Sequence, residues 1–111
     1  MHFVSGGTQA NLVCLAAMLR PHEAVIAASS GHIFVHEAGA IEATGHKIET
    51  VASVDGKLRP QLLAGFFGPG RDEHMTKPKV VFISHASEVG TIYSKAELEA
   101  LYAFCQQHNL Y

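Results

Sequence analysis

Two kinds of apolar pattern alternate along the chain. Ala24-Val25-Ile26-Ala27-Ala28 and Val80-Val81-Phe82-Ile83 are short continuous apolar runs of the kind that form buried strands. Lys47 to Ala52 is a further expected strand, with Ile48 and Val51 as its bulky apolar positions. Helical stretches lie between. Thr8 to Leu19 is predicted helical and stops near Arg20-Pro21, because Pro21 disfavours helical geometry at Arg20. His32 to Ala43 is predicted as a helix with Gly45 just beyond its end. Pro60 suits a first helical turn, and Gln61 to Phe67 follows as a short helix. Ser94-Lys95-Ala96-Glu97 has the form of a capping box. The helix it opens runs to about His108, with Leu98, Leu101, Tyr102 and Cys105 on one face. Asp55-Gly56 marks a turn, Gly68-Pro69-Gly70 a break, and Arg71 to Pro78 a polar surface loop. Leu110-Tyr111 reads as the start of another strand.

This alternation predicts an α/β fold whose strands are largely parallel and covered on both faces. In such sheets ligands bind beyond the carboxyl ends of the strands. The loops expected there carry Ser29 to His32 and Ser84 to Glu88.

The length of 111 residues sets a limit of one domain. Charged residues make up only 16% and hydrophobic ones 48%. That charge is well below the roughly 25% of an average domain, so some faces are expected to pack against further chain or a partner subunit. The net charge of −2 argues against partners that need basic clusters, nucleic acid and anionic membrane among them. Cys14 and Cys105 sit in helical patterns and are expected as buried free thiols in a reducing compartment. No apolar run is long enough for a membrane helix, and no basic-then-apolar leader opens the chain. A cytoplasmic protein is expected.

Candidate chemistry begins at Ser5-Gly6-Gly7-Thr8-Gln9-Ala10-Asn11, a glycine-rich turn opening directly into an apolar helix. Free N–H groups and a partial positive charge at a helix start favour an anion such as phosphate. The Thr8 hydroxyl adds a bond to that anion or, alternatively, caps the helix. Neither the P-loop nor the dinucleotide fingerprint matches. Eight histidines invite a metal reading. His32 and His36 stand one helical turn apart, but no third ligand follows at a recognisable spacing, so no metal is expected. His2, His22, His46, His74 and His108 are expected at the surface, and Cys14 in the core. No serine lies in a Gly-x-Ser-x-Gly elbow.

Phe3 to Asn11 resembles the phosphate-binding segment of the threonine aldolase and β-eliminating lyase family, pyridoxal-phosphate enzymes of the aspartate-aminotransferase fold type. Gly31-His32-Ile33-Phe34 with Glu37-Ala38-Gly39-Ala40 is similar to a second family signature. Val81-Phe82-Ile83-Ser84, Glu88-Val89-Gly90-Thr91 and Ser94 to Leu98 resemble a third. The resemblance implies part of the large three-layer α/β/α cofactor domain. It implies that Gly6, Gly7 and Thr8 contact the phosphate of pyridoxal 5'-phosphate and that His32 stacks over its pyridine ring. His85 is the candidate for a side chain facing cofactor or substrate, the alternative being a solvent-facing loop histidine; Glu88 reads as structural. None of Lys47, Lys57, Lys77, Lys79 and Lys95 matches the family's cofactor-linking lysine. That lysine, the aspartate that pairs with the pyridine nitrogen and the small C-terminal domain are all expected beyond Tyr111, so residues 1–111 are expected to form about a third of a subunit and to be inactive alone. The implied reaction is retro-aldol cleavage of a β-hydroxy-α-amino acid to glycine and an aldehyde. The alternatives are β-elimination, or a non-catalytic α/β module for a phosphorylated small molecule. A homo-oligomer, dimer or tetramer, acting on a small amino acid is implied as well.

Overall fold

A computed structural model describes residues 1–111. The order is α1 (Gly7–Met18), β1 (Glu23–Ala28), α2 (His32–Val35), a 3-10 turn (Glu42–Thr44), β2 (Lys47–Val51), α3 (Pro60–Leu63), a second 3-10 turn (Ala64–Phe66), β3 (Lys77–Val81) and α4 (Lys95–Gln107). The strands form one parallel sheet in the order β2-β1-β3. All six residues of β1 are buried, which places it at the centre with both faces covered.

Successive β1 side chains point to opposite faces. Val25 and Ala27 join Leu15, Leu19, Ile33 and Ile41 in one core. Ile26 and Ala28 join Val51, Leu58, Leu63 and Leu101 in the other. The expected α/β/α layering is therefore present, with α1 and α2 on one side and α3 and α4 on the other. Ile26 is wholly buried, which contributes about 1.5–3 kcal/mol relative to exposure.

Pro78 shapes the β1–β3 ladder. It pairs with Ala24, while Val25 pairs with Val80, so Lys79 is an extra residue in β3. Proline has no N–H to donate, and a bulge is where a strand tolerates it. The Lys79 carbonyl instead accepts from the Tyr111 N–H at 2.9 Å, and Val81 N–H donates to the Tyr111 carbonyl at 2.8 Å. Tyr111 thus runs along the free edge of β3, where a further strand was expected.

Other expectations need correction. The helix predicted from His32 to Ala43 ends at Val35 and gives way to a turn with Ala38 at φ 50 and Gly39 at φ 75. Left-handed backbone cannot continue a right-handed helix, and Glu37 turns inward at this break. The structured part of β3 begins earlier than Val80, at Lys77. In α4 the capping box forms as predicted, and Leu101 and Cys105 are buried, but Leu98 and Tyr102 stay at the surface. Burial pushes the Cys105 thiol pKa up. Cys14 is exposed rather than in the core, because Leu15 and Leu19 face the sheet and residue 14 projects elsewhere. His46 is buried, and His108 is half-buried with its ring 4.4 Å from those of Phe67 and Phe104. Neither is the surface residue expected.

Candidate active site

The carboxyl ends of β1 and β3 lead into the residue 29–32 and 82–93 loops. Between them His32 opens α2 with its side chain 47% exposed, so the ring has one open face. Its backbone N–H donates to Glu88 Oε1 at 2.8 Å, and the Ser84 hydroxyl donates to the same oxygen. Burial pushes the Glu88 carboxyl pKa up. The Ser84 hydroxyl, the N–H groups of Glu88 and His32 and the nearby His32 ring outweigh this, and the pKa lies below its ordinary value. Glu88 is thus an ionised staple between two loops, the structural role expected of it.

The His32 ring is held by a second carboxylate. Its Nδ1 lies 2.9 Å from Glu37 Oε1, and the Glu37 side chain is wholly buried. Asn11 Nδ2 donates to that same oxygen at 2.6 Å. Asn11 is in the first turns of α1, so one hydrogen-bonded string runs from α1 through Glu37 and His32 to Glu88 and Ser84. Asn11 and Glu37 lie 26 residues apart in sequence, and neither was expected to hold His32. A lone acid among Ile33, Ala38, Ala40 and Ile41 was the available signal.

At the start of α1, Gly6 is the N-cap residue and no side chain caps the helix. Thr8 therefore does not act as the cap, one of its two alternatives. The first backbone bond runs from Ala10 N–H to Gly6 O, leaving the N–H groups of Gly7, Thr8 and Gln9 ahead of it. A Cβ at Gly6 or Gly7 would meet nothing within 4 Å. The donor set suits a phosphate monoester.

His85 does not join the string. Its ring stacks on Tyr93, with centroids 6.1 Å apart and planes 23° from parallel. The His32 and His36 rings lie 5.6 Å apart, and no group of three or more His, Cys, Asp or Glu side chains is placed to hold a metal. The largest cavity, about 500 Å³ and lined by His22, Phe66, Arg71 and His108 among others, opens at the amino ends of the strands, away from this site. No helix is long and apolar enough to cross a membrane.

The three-layer order and parallel sheet define a partial α/β domain of the aspartate-aminotransferase fold. An aspartate aminotransferase from Thermus thermophilus superposes with a TM-score of 0.75 at 23% identity, over 96% of this chain and 26% of that one. The family follows from the sequence: the beta-eliminating lyase model matches residues 1–111, and the chain belongs to that family. A Leishmania major threonine aldolase structure matches with a TM-score of 0.94 and 55% identity, over 99% of this chain and 32% of that one. Low-specificity L-threonine aldolases from a Pseudomonas species and from Pseudomonas aeruginosa are 36% and 35% identical, over 97% and 98% of this chain. The chain spans about a third, 32%, of the length of each of these relatives.

Proposed function

We propose that this chain supplies the cofactor-holding core of a pyridoxal-phosphate lyase that cleaves β-hydroxy-α-amino acids to glycine and an aldehyde. The observation that carries the proposal is the hydrogen-bonded string that joins α1, His32 and the 84–88 loop beyond the carboxyl ends of parallel strands. The likeness to threonine aldolases favours aldol cleavage over β-elimination.

The residues fit the cofactor. The N–H groups of Gly7, Thr8 and Gln9 with the Thr8 hydroxyl would hold its phosphate, and the glycines leave room for it to approach. The half-exposed His32 ring would lie flat against the pyridine, its rotation stopped by Glu37. When bound, pyridoxal 5'-phosphate supplies the electron sink that makes cleavage at Cα feasible. The family resemblance supports His85 as the residue on the substrate side, carried by the neighbouring loop where its ring stacks on Tyr93. We further propose a cytoplasmic homo-oligomer, dimer or tetramer. Exposed Phe3, Val13, Met18 and Phe34 offer apolar surface for such packing.

The test is made on protein carrying this chain. Threonine should yield glycine and acetaldehyde, with no 2-oxobutyrate, the product of elimination. His32→Ala should weaken binding of pyridoxal phosphate and lower turnover. Unchanged cofactor affinity in His32→Ala would instead favour a phosphate-binding module, and 2-oxobutyrate as the main product would favour elimination.

A further inference from the structure

We infer that Glu37 and Asn11 are positioning residues that fix the His32 ring in the tautomer with its proton on Nδ1, so that Nε2 presents a lone pair to the site. This inference rests on the reading of His32 as the ring that faces cofactor and substrate. The ionised form of Glu37 has no hydrogen to offer, so against it Nδ1 at 2.9 Å is the donor. Asn11 Nδ2 at 2.6 Å donates to the same oxygen, which leaves Oε1 as acceptor on both sides. Nε2 has no hydrogen-bond partner within the chain. A free neutral imidazole prefers the opposite tautomer, with the proton on Nε2, so Glu37 imposes a choice the ring would not make alone.

The energetics point the same way. Glu37 is 4% exposed, and its Oε2 is buried with no partner. A half-satisfied buried carboxylate is a poor device for stability, since an apolar side chain of similar size does as well or better. Beside a half-exposed imidazole, the same carboxylate orients the ring and selects its tautomer.

Chemically, this tautomer makes Nε2 a proton acceptor. Aldol cleavage needs such a group: the substrate β-hydroxyl would give its proton to Nε2, its O–H pair would form the carbonyl, and the Cα–Cβ pair would stay with Cα, where bound pyridoxal 5'-phosphate would supply the electron sink. Loss of hydroxide by elimination needs a proton delivered at that oxygen, which neutral His32 with Nε2 unprotonated cannot give. Asn11 adds a mechanical link, because it ties the ring to the helix whose amino end would hold the phosphate.

The test reads the ring nitrogens directly by two-dimensional ¹⁵N NMR of histidine-labelled protein without cofactor, at alkaline pH where imidazoles are neutral. The His32 signals are assigned from their loss in His32→Asn. Wild type should show a pyrrole-like Nδ1 and a pyridine-like Nε2. Glu37→Gln, which keeps a carbonyl acceptor, should retain that pattern. Glu37→Leu, which keeps side-chain volume, should exchange the two signals. A wild-type ring protonated on Nε2 overturns the inference, and so does a folded Glu37→Leu with the wild-type pattern. Should Glu37→Leu fail to fold, the wild-type and Glu37→Gln spectra decide: an Nε2 proton in either overturns the inference. Because no cofactor is present, this result is separate from the lyase reading, which fails if His32→Ala leaves pyridoxal phosphate binding unchanged.

Discussion

Replacing Gly56 by alanine should disturb the loop that holds His32, although residue 56 touches neither His32 nor Glu88 through any hydrogen bond. Gly56 lies at φ +72, and a Cβ there would stand 3.0 Å from Val89 Cγ2, 3.2 Å from Ser87 Oγ and 3.3 Å from Ser87 Cβ. Ser87 and Val89 flank Glu88. The same turn is fixed to that loop by the Thr91 hydroxyl, which donates to the Asp55 carbonyl at 2.7 Å. Gly45 serves as control, because it lies at φ +85 with nothing within 4 Å of a new Cβ. Left-handed backbone costs a non-glycine residue about 1–2 kcal/mol. Lower entropy of the unfolded chain returns about 0.4–1 kcal/mol, so Gly45→Ala should lose about 1 kcal/mol. Gly56→Ala adds an overpacking cost of about 1–3 kcal/mol, for a total of about 2–4 kcal/mol. With a urea dependence of about 2 kcal/mol/M, its unfolding midpoint should fall by about 1–2 M. Hydrogen exchange supplies the local readout. The His32 amide, bonded to Glu88 at 2.8 Å, should lose protection in Gly56→Ala and keep it in Gly45→Ala. Equal midpoints for the two variants, or an unaltered His32 amide, would refute the claim that this turn buttresses the Glu88 staple.

Acid should weaken a second cluster, at the start of α4. Arg59 holds the Asp55 carboxyl far below the usual range, and Lys57 lowers Glu97 to about 2. Both pKa values lie below their unfolded values of about 3.9 and 4.3, so the stability these groups contribute is present at neutral pH and lost as pH falls below about 4. Urea midpoints measured from pH 6 down to pH 2 should drop less steeply in Asp55→Asn than in wild type, and parallel curves would count against the pairing. Both carboxylates are partly exposed, so added salt should shrink the difference. Ser94→Ala removes the hydroxyl that accepts from Glu97 N–H at 3.2 Å and should cost about 1 kcal/mol, read as a lower melting temperature; an unchanged melt would show that the capping box contributes nothing.

What the sequence made legible was local, and what it hid was contact between distant residues. β1 could be read because Ala24 to Ala28 is a short continuous apolar run of the kind a strand buried on both faces needs, and α4 because Ser94 and Glu97 meet within one turn. The region from His32 to Ala43 could not be read as it folds. Ile33 and Ile41 keep a helical spacing and are both buried, yet left-handed Ala38 and Gly39 interrupt the helix between them. The break sits beside Glu37, whose partners are Asn11 and His32. No propensity at positions 37 to 39 encodes a partner in the first helix. The site divides the same way. Gly6, Gly7, Thr8, His32 and the 84–88 loop were singled out as candidates from a helix start, a topology rule and a family resemblance, all readable without long-range contacts. Asn11 and Glu37 were missed because their pairing exists only once α1 packs beside the segment that follows α2. An acid amid apolar neighbours is nevertheless a signal that sequence displays, and its burial is the kind of conflict expected where function overrides stability. His46, buried with Nδ1 unpartnered, shows the limit of that signal. It too is a buried polar group, but no string of hydrogen bonds joins it to the site, so it is the combination of buried charge and connection to an exposed ring that singles out Glu37.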